Sequence, residues 1–226
     1  MFIKICANTN VEDACLAADL GVDAVGFVFA RSKRQVTPEQ VEEITRELPA
    51  ELAKVGVFTS TDAAEIVQAA RVAGLTAVQL HSAFDPKLVD AIVAGSGSGL
   101  HVMQVVDVPV GMDLERLRGL LTAVLSHPYV LVALLDASHG GVSGGTGRSF
   151  DWERTAAIVR EVQEATGGWV IIAGGLKAEN VGEAIEAFAP WGVDVASGVE
   201  SAPGKKDPEW LRAFVAAARA AGSGRS

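Results

Sequence analysis

The chain has 226 residues, 49% hydrophobic and 21% charged, which suits one large domain with a substantial core and excludes a disordered polymer. A net charge of −9 argues against non-specific nucleic-acid binding, which needs a basic footprint, and no apolar run approaches the ~20 residues that cross a bilayer. Neither a nucleic acid nor a membrane is therefore expected as a partner.

The first expected strand, Ile3 to Cys6, begins almost at the first residue, with no signal-peptide pattern before it. It ends in one of only two cysteines. The other, Cys15, falls on the inner face of the helix that follows and reads as a buried structural thiol. Their spacing matches no metal motif, and two thiols fit a reducing cytoplasm. The second strand, Ala24 to Phe29, leads to Arg34, which stands among Arg31 and Lys33. Thr37, Pro38 and Gln40 then supply an N-cap, a first-turn proline and a capping-box partner. After a third strand at Lys54 to Phe58, Ala63, Ile66, Val67 and Ala70 recur at helical spacing. The fourth strand, Ala77 to Leu80, runs into His81. Gly95 to Gly99 reads as a surface loop before the fifth strand, His101 to Val106.

Leu114, Leu117, Leu121 and Val124 mark another amphipathic helix. The sixth strand, Val130 to Leu135, meets Asp136 and a glycine loop, Gly144-Gly145-Thr146-Gly147. Asp151 then stands where it would cap a helix starting at Trp152. The seventh strand, Trp169 to Ala173, ends at Gly174-Gly175. The eighth, Val193 to Ser197, ends at Gly198, with a short extra helix expected near Val199 and Glu200. Trp152, Trp169, Trp191 and Trp210 read as packing between helices and sheet. Residues 222–226 read as a flexible tail.

Eight strand-plus-helix units without a domain-sized gap predict a single (β/α)8 TIM barrel over residues 1–221. A doubly wound open sheet fits less well, because the dinucleotide fingerprint it carries is absent. In such a barrel the chemistry gathers where strands end. Gly174, Gly175, Ser197 and Gly198 follow strands seven and eight, where backbone amides frequently hold a phosphate; Gly145, Thr146 and Gly147 extend that set. Each glycine pair alone could equally be a tight turn. Cys6 at the mouth could remove a carbon-bound proton if positive charge lowered its pKa, or could be a small buried hydrophobe. Asp136 could donate a proton or cap its loop. Arg34 could grip a carboxylate or lie in solvent. His81 could touch a ligand or serve structure, and as the one histidine at a strand end it does not make a metal site. No metal and no cofactor are expected.

Lys4-Ile5-Cys6, Gly26-Phe27-Val28-Phe29, Ser32-Lys33-Arg34, Val78-Gln79-Leu80-His81, Gly144 to Gly147 with Phe150-Asp151-Trp152, Ala173-Gly174-Gly175, and Asp194 through Ser197-Gly198-Val199-Glu200 to Lys206 occur in this order. Together they resemble phosphoribosylanthranilate isomerase of tryptophan biosynthesis. The resemblance implies an Amadori rearrangement of N-(5′-phosphoribosyl)anthranilate, a phosphorylated small molecule, in a cytoplasmic monomer or homodimer. It implies Asp136 as general acid, Cys6 as general base and Arg34 on the anthranilate carboxylate. The loop after strand six and the two downstream glycine turns would take the phosphate, and His81 and Asp194 would contact substrate. Ala7 stands where that family usually has glycine. A histidine-pathway isomerase would instead carry an aspartate at the end of strand one, and a barrel that binds sugar phosphates without turnover is the non-enzymatic alternative.

Overall fold

Eight short apolar runs form eight parallel strands, each followed by a helix on the outside. The computed structural model describes residues 1–97, 99–109, 111–136 and 152–223. Its strands are β1 Phe2–Ile5, β2 Ala24–Val28, β3 Ala53–Phe58, β4 Ala77–Leu80, β5 His101–Asp107, β6 Val130–Asp136, β7 Trp169–Ala173 and β8 Gly192–Val195. The helices are α1 Val11–Asp19, α2 Pro38–Thr45, α3 Ala63–Val72, α4 Pro86–Ser96, α5 Leu114–Leu125, α6 Trp152–Thr166, α7 Val181–Phe188 and α8 Pro208–Ser223. Strand order follows sequence order, and β1 closes the ring by pairing in parallel with both β2 and β8. This is the (β/α)8 barrel expected from the pattern.

Strand alternation splits the core in two. Ala24, Val55, Ala77, Met103, Leu134, Ile171 and Ala173 fill the barrel interior. Ile3, Ile5, Val25, Phe27, Leu80, Phe188 and Phe214 pack between strands and helices. The helix signals hold at α2, where Thr37 and Gln40 form the full capping box, and at α3 and α5, which bury the expected apolar faces. The Asp151 cap lies outside the described residues.

Four expectations change. Gly95 and Ser96 belong to the last turn of α4, and the chain leaves the helix at Gly97, whose φ of 64° is left-handed, the geometry of a glycine C-cap. Cys15 is half-buried against the outer core rather than enclosed by it. The three tryptophans whose side chains are described do not wedge helices onto strands. Trp191 stacks between Phe2 and Trp169, at centroid distances of 4.3 and 4.7 Å, where β1, β7 and β8 begin, and Trp169 and Trp210 are both exposed. Trp152 lies among the residues whose side chains are not described. Beyond β8 a 3-10 turn, Ser197–Val199, precedes a two-stranded ribbon, β9 Glu200–Ala202 and β10 Lys205–Lys206. The expected extra helix is therefore this turn, starting two residues earlier.

Candidate active site

β1 delivers its inward residues to the upper interior. Lys4 is fully buried and its Nζ donates to Asp194 Oδ1 on β8 at 2.9 Å. Cys6 follows two positions later, just past the strand, 6% exposed, with its N–H bonded to the Val195 carbonyl at 2.8 Å. Neighbouring Gly26 on β2 leaves the space these groups occupy. A Cβ there would lie 2.7 Å from Cys6 Sγ, 3.1 Å from the Cys6 Cα and 3.1 Å from Lys4 Nζ. Ala7 adopts a φ of 62°, the left-handed region that favours glycine, so the substitution at this position keeps the backbone turn that a glycine would make. Asn8 locks that turn: its N–H donates to the Gly26 carbonyl at 2.9 Å, and Nδ2 donates to the Ile5 carbonyl at 2.8 Å.

The positive charge expected around Cys6 is present, yet burial is stronger. Desolvation pushes the thiol above its ordinary value and Asp194 adds to this, while Lys4 and Lys206 pull it down without reversing it. Lys206 is also fully buried. Its Nζ donates to the Cys6 carbonyl at 2.5 Å, and to the Ala196 carbonyl and Glu200 Oε1, each at 3.3 Å. It therefore ties the ends of β1 and β8 together. Burial lowers its pKa, opposed by Glu200.

Arg34 is not a solvated loop arginine. Its Nε lies 2.9 Å from both oxygens of Glu200, and Nη2 donates to Oε2 at 2.6 Å. Burial alone would raise Glu200, but hydrogen bonds from Arg34 and the charge of Lys206 hold it below the usual carboxylate range. The carboxylate grips one edge of the guanidinium, which fixes its plane while leaving the Nη1 end for a ligand. In the sequence Glu200 and Lys206 are motif letters without a role. Their pairing needs the ribbon that folds residues 200–206 back over β1, and no local spacing announces that.

Asp136 ends β6, half-buried, close enough to Asp194 to raise that residue's pKa. His81 Nε2 lies 3.2 Å from Asp107 Oδ1, and the ligating atoms of His81, Asp107 and Asp136 all fall within 4.8 Å of one another. The lone histidine expected at the mouth thus has two carboxylates beside it. Asp107 was missed because the fifth strand runs one residue beyond the Val106 at which the apolar pattern stops.

Gly174 and Gly175 take left-handed φ values of 90° and 65°. The Gly198 turn rests on the same loop, since a Cβ on Gly198 would fall 1.8 Å from the Leu176 carbonyl oxygen. The two glycine turns are therefore in contact. Gly145, Thr146 and Gly147 lie outside the described residues. Asp194, expected to contact substrate, is 6% exposed, one residue before the end of β8, and is engaged by Lys4.

Residues 3–217 match the family described as N-(5′-phosphoribosyl)anthranilate (PRA) isomerase. A protein of Rubrobacter xylanophilus named N-(5′-phosphoribosyl)anthranilate isomerase is 40% identical, covering 96% of this chain and 98% of its own. Among solved structures, a phosphoribosyl anthranilate isomerase in complex with reduced 1-(o-carboxyphenylamino)-1-deoxyribulose 5-phosphate has a TM-score of 0.78 at 34% identity, covering 97% of this chain and 99% of that one. A structure of monomers made from the dimeric enzyme of Thermotoga maritima gives 0.77 at 33% identity, with the same coverage.

Proposed function

The chain belongs to the N-(5′-phosphoribosyl)anthranilate isomerase family, and we propose that Cys6 and Asp136 carry its reaction as base and acid. The reaction is the Amadori rearrangement of N-(5′-phosphoribosyl)anthranilate to 1-(o-carboxyphenylamino)-1-deoxyribulose 5-phosphate in tryptophan biosynthesis. Asp136 gives its proton to the furanose ring oxygen, and the C1′–O bond breaks to leave a Schiff base. Cys6, as thiolate, takes the C2′ proton. The electron pair forms the C1′–C2′ double bond of an enolamine, which tautomerises to the ketone.

One observation carries this reading. Cys6 and Asp136 stand at the ends of non-adjacent strands, β1 and β6, on the face of the barrel where strands end. Acid and base can then address different atoms of one substrate from separate sides. Arg34, held by Glu200, takes the anthranilate carboxylate through its Nη1 end. The touching turns at Gly174-Gly175 and Ser197-Gly198, with Gly145 to Gly147, take the phosphate, and His81 with Asp107 borders the ring that opens. Among the described residues no helix is long and apolar enough to cross a membrane. A cytoplasmic setting, as a monomer or a homodimer, completes the proposal.

The test is Asp136→Asn, which keeps size and removes the proton. Turnover should fall ~10²–10⁴-fold with unchanged thermal unfolding. Alkylation of Cys6 should abolish turnover as well, with protection by a product analogue. Near-parental turnover in either protein would overturn the assignment.

A further inference from the structure

Beneath the mouth the barrel encloses a charged pair that the proton transfers above do not use. Lys4 and Asp194 face each other across the β1–β8 seam at 2.9 Å, with side-chain exposures of 0% and 8%. An ion pair so enclosed is a poor source of stability, because desolvating both ions offsets their attraction. Its position suggests another use. A Cβ on Gly26 would meet both Cys6 Sγ, at 2.7 Å, and Lys4 Nζ, at 3.1 Å, so ammonium and sulfur border the same gap. Lys4 carries three N–H donors and Asp194 accepts one of them. The other nearby ammonium, Lys206, is occupied by the Cys6 and Ala196 carbonyls and by Glu200.

The base must be a thiolate before it can take the C2′ proton. Its negative charge then arises in a site that is almost closed to water. The charged groups acting on Cys6 are Lys4 on its own strand, Asp194 on β8, Lys206 on β10 and Arg34 from the loop after β2. Of these, Lys4 shares the gap at Gly26 with the sulfur, whereas Lys206 is bonded to the Cys6 carbonyl.

Building on the assignment of Cys6 as base, we propose that Lys4 is its positioning residue: Lys4 holds the counter-charge of the Cys6 thiolate, and Asp194 holds Lys4 instead of contacting substrate. Lys4 remains charged throughout. The burial that would lower its pKa is outweighed by Asp194 and Cys6. Lys4 is thus shared between Asp194 and the sulfur, so removing Lys4 and removing Asp194 should have effects of opposite sign on the thiol.

The experiment uses the full chain carrying Cys15→Ala, so that Cys6 is the only thiol, and follows iodoacetamide alkylation against pH. Lys4→Met should move the alkylation profile ~1–3 pH units to the alkaline side and lower kcat at neutral pH at least ~10-fold. Asp194→Asn should move the profile to the acid side, because Lys4 is then left to the sulfur. A pair that serves structure alone would move neither profile. If Lys4→Met does not fold with Asp194 uncompensated, the double variant Lys4→Met/Asp194→Asn removes both charges, and its profile should lie alkaline of Asp194→Asn. Profiles that coincide with the parent, or that shift the same way in both single variants, overturn the proposal. If alkylation silences the parent while the profiles stay fixed, Cys6 remains the base and only the role of Lys4 fails. Full turnover in alkylated parent would remove the base assignment itself.

Discussion

Gly26→Ala adds one methyl group and should do more harm than its size suggests. On backbone propensity alone the change should help, since glycine inside a strand costs roughly 0.5–1 kcal/mol relative to alanine. The geometry reverses the sign. The new Cβ would sit 2.7 Å from Cys6 Sγ and 3.1 Å from both the Cys6 Cα and Lys4 Nζ. The sulfur cannot yield alone, because the Cys6 backbone is pinned by Val195 on one side and Lys206 on the other. Overpacking of this kind costs about 1–3 kcal/mol. After the propensity gain, a net loss near 1–2 kcal/mol remains, which in a barrel of this size lowers Tm by about 2–8 °C. Displacing the base by around 1 Å should cost on the order of 10²-fold in kcat. Calorimetry and steady-state turnover on one preparation read both quantities. A variant that is more stable than the parent and turns over normally would show that the slot at Gly26 does not position the base.

Arg34→Ala should weaken binding of a product analogue by roughly 1.5–3 kcal/mol, read by titration calorimetry, and Glu200→Gln should reproduce part of that loss, in KM rather than kcat, because it loosens the guanidinium without removing it; equal effects on kcat would place Arg34 in the chemistry. Ala7→Gly should stay within about 1 kcal/mol of the parent, as relieved strain offsets the added chain entropy and the lost methyl, whereas Ala7→Val should be far worse, since a β-branched residue resists a φ of 62°. A tolerated valine, by thermal unfolding, would contradict that turn. The pH dependence follows from two opposite shifts. Cys6 is held above its ordinary value and, as the proposed base, must lose its proton to act, so kcat/KM should climb through neutral into alkaline pH. The same raised value means that its share of stability is complete below the unfolded thiol pKa and disappears as pH rises through the folded one. Glu200 is held low, so its share is present above the unfolded carboxylate pKa and is lost as pH falls through the folded value. An activity profile flat from about pH 6 to about pH 9, a window that brackets the ordinary thiol pKa of about 8.5, would argue against a thiol base.

The barrel could be read from the sequence because each strand is a short apolar run and each helix carries its own period and caps. Those signals are local, and Thr37 with Gln40 shows one of them realised in full. The positions of Cys6, Asp136 and His81 at strand ends, and of Arg34 in the loop after β2, were legible because the apolar runs mark where each strand stops. Glu200, Lys206 and the role of Asp194 were not. Each acts through a partner far away in sequence, Arg34, the Cys6 carbonyl and Lys4, and burial rather than spacing gives the charge its meaning. Asp107 was hidden by a smaller effect: an inward polar residue at the tip of a strand interrupts the apolar run that was used to measure the strand.

The aromatic stack at the opposite end of the barrel has a kinetic consequence. Phe2 and Trp191 come from the two ends of the chain, and their rings meet only when the first and last strands join. Contacts between such distant segments carry the largest loop-closure cost, so they belong to the slow part of refolding. Trp191 sits in that seam, at the end of the barrel away from Cys6 and Asp136. With Trp152 and Trp210 replaced by phenylalanine, the emission of the stacked Trp169 and Trp191 during refolding therefore times the closure of the ring, and does so in variants whose chemistry has been removed.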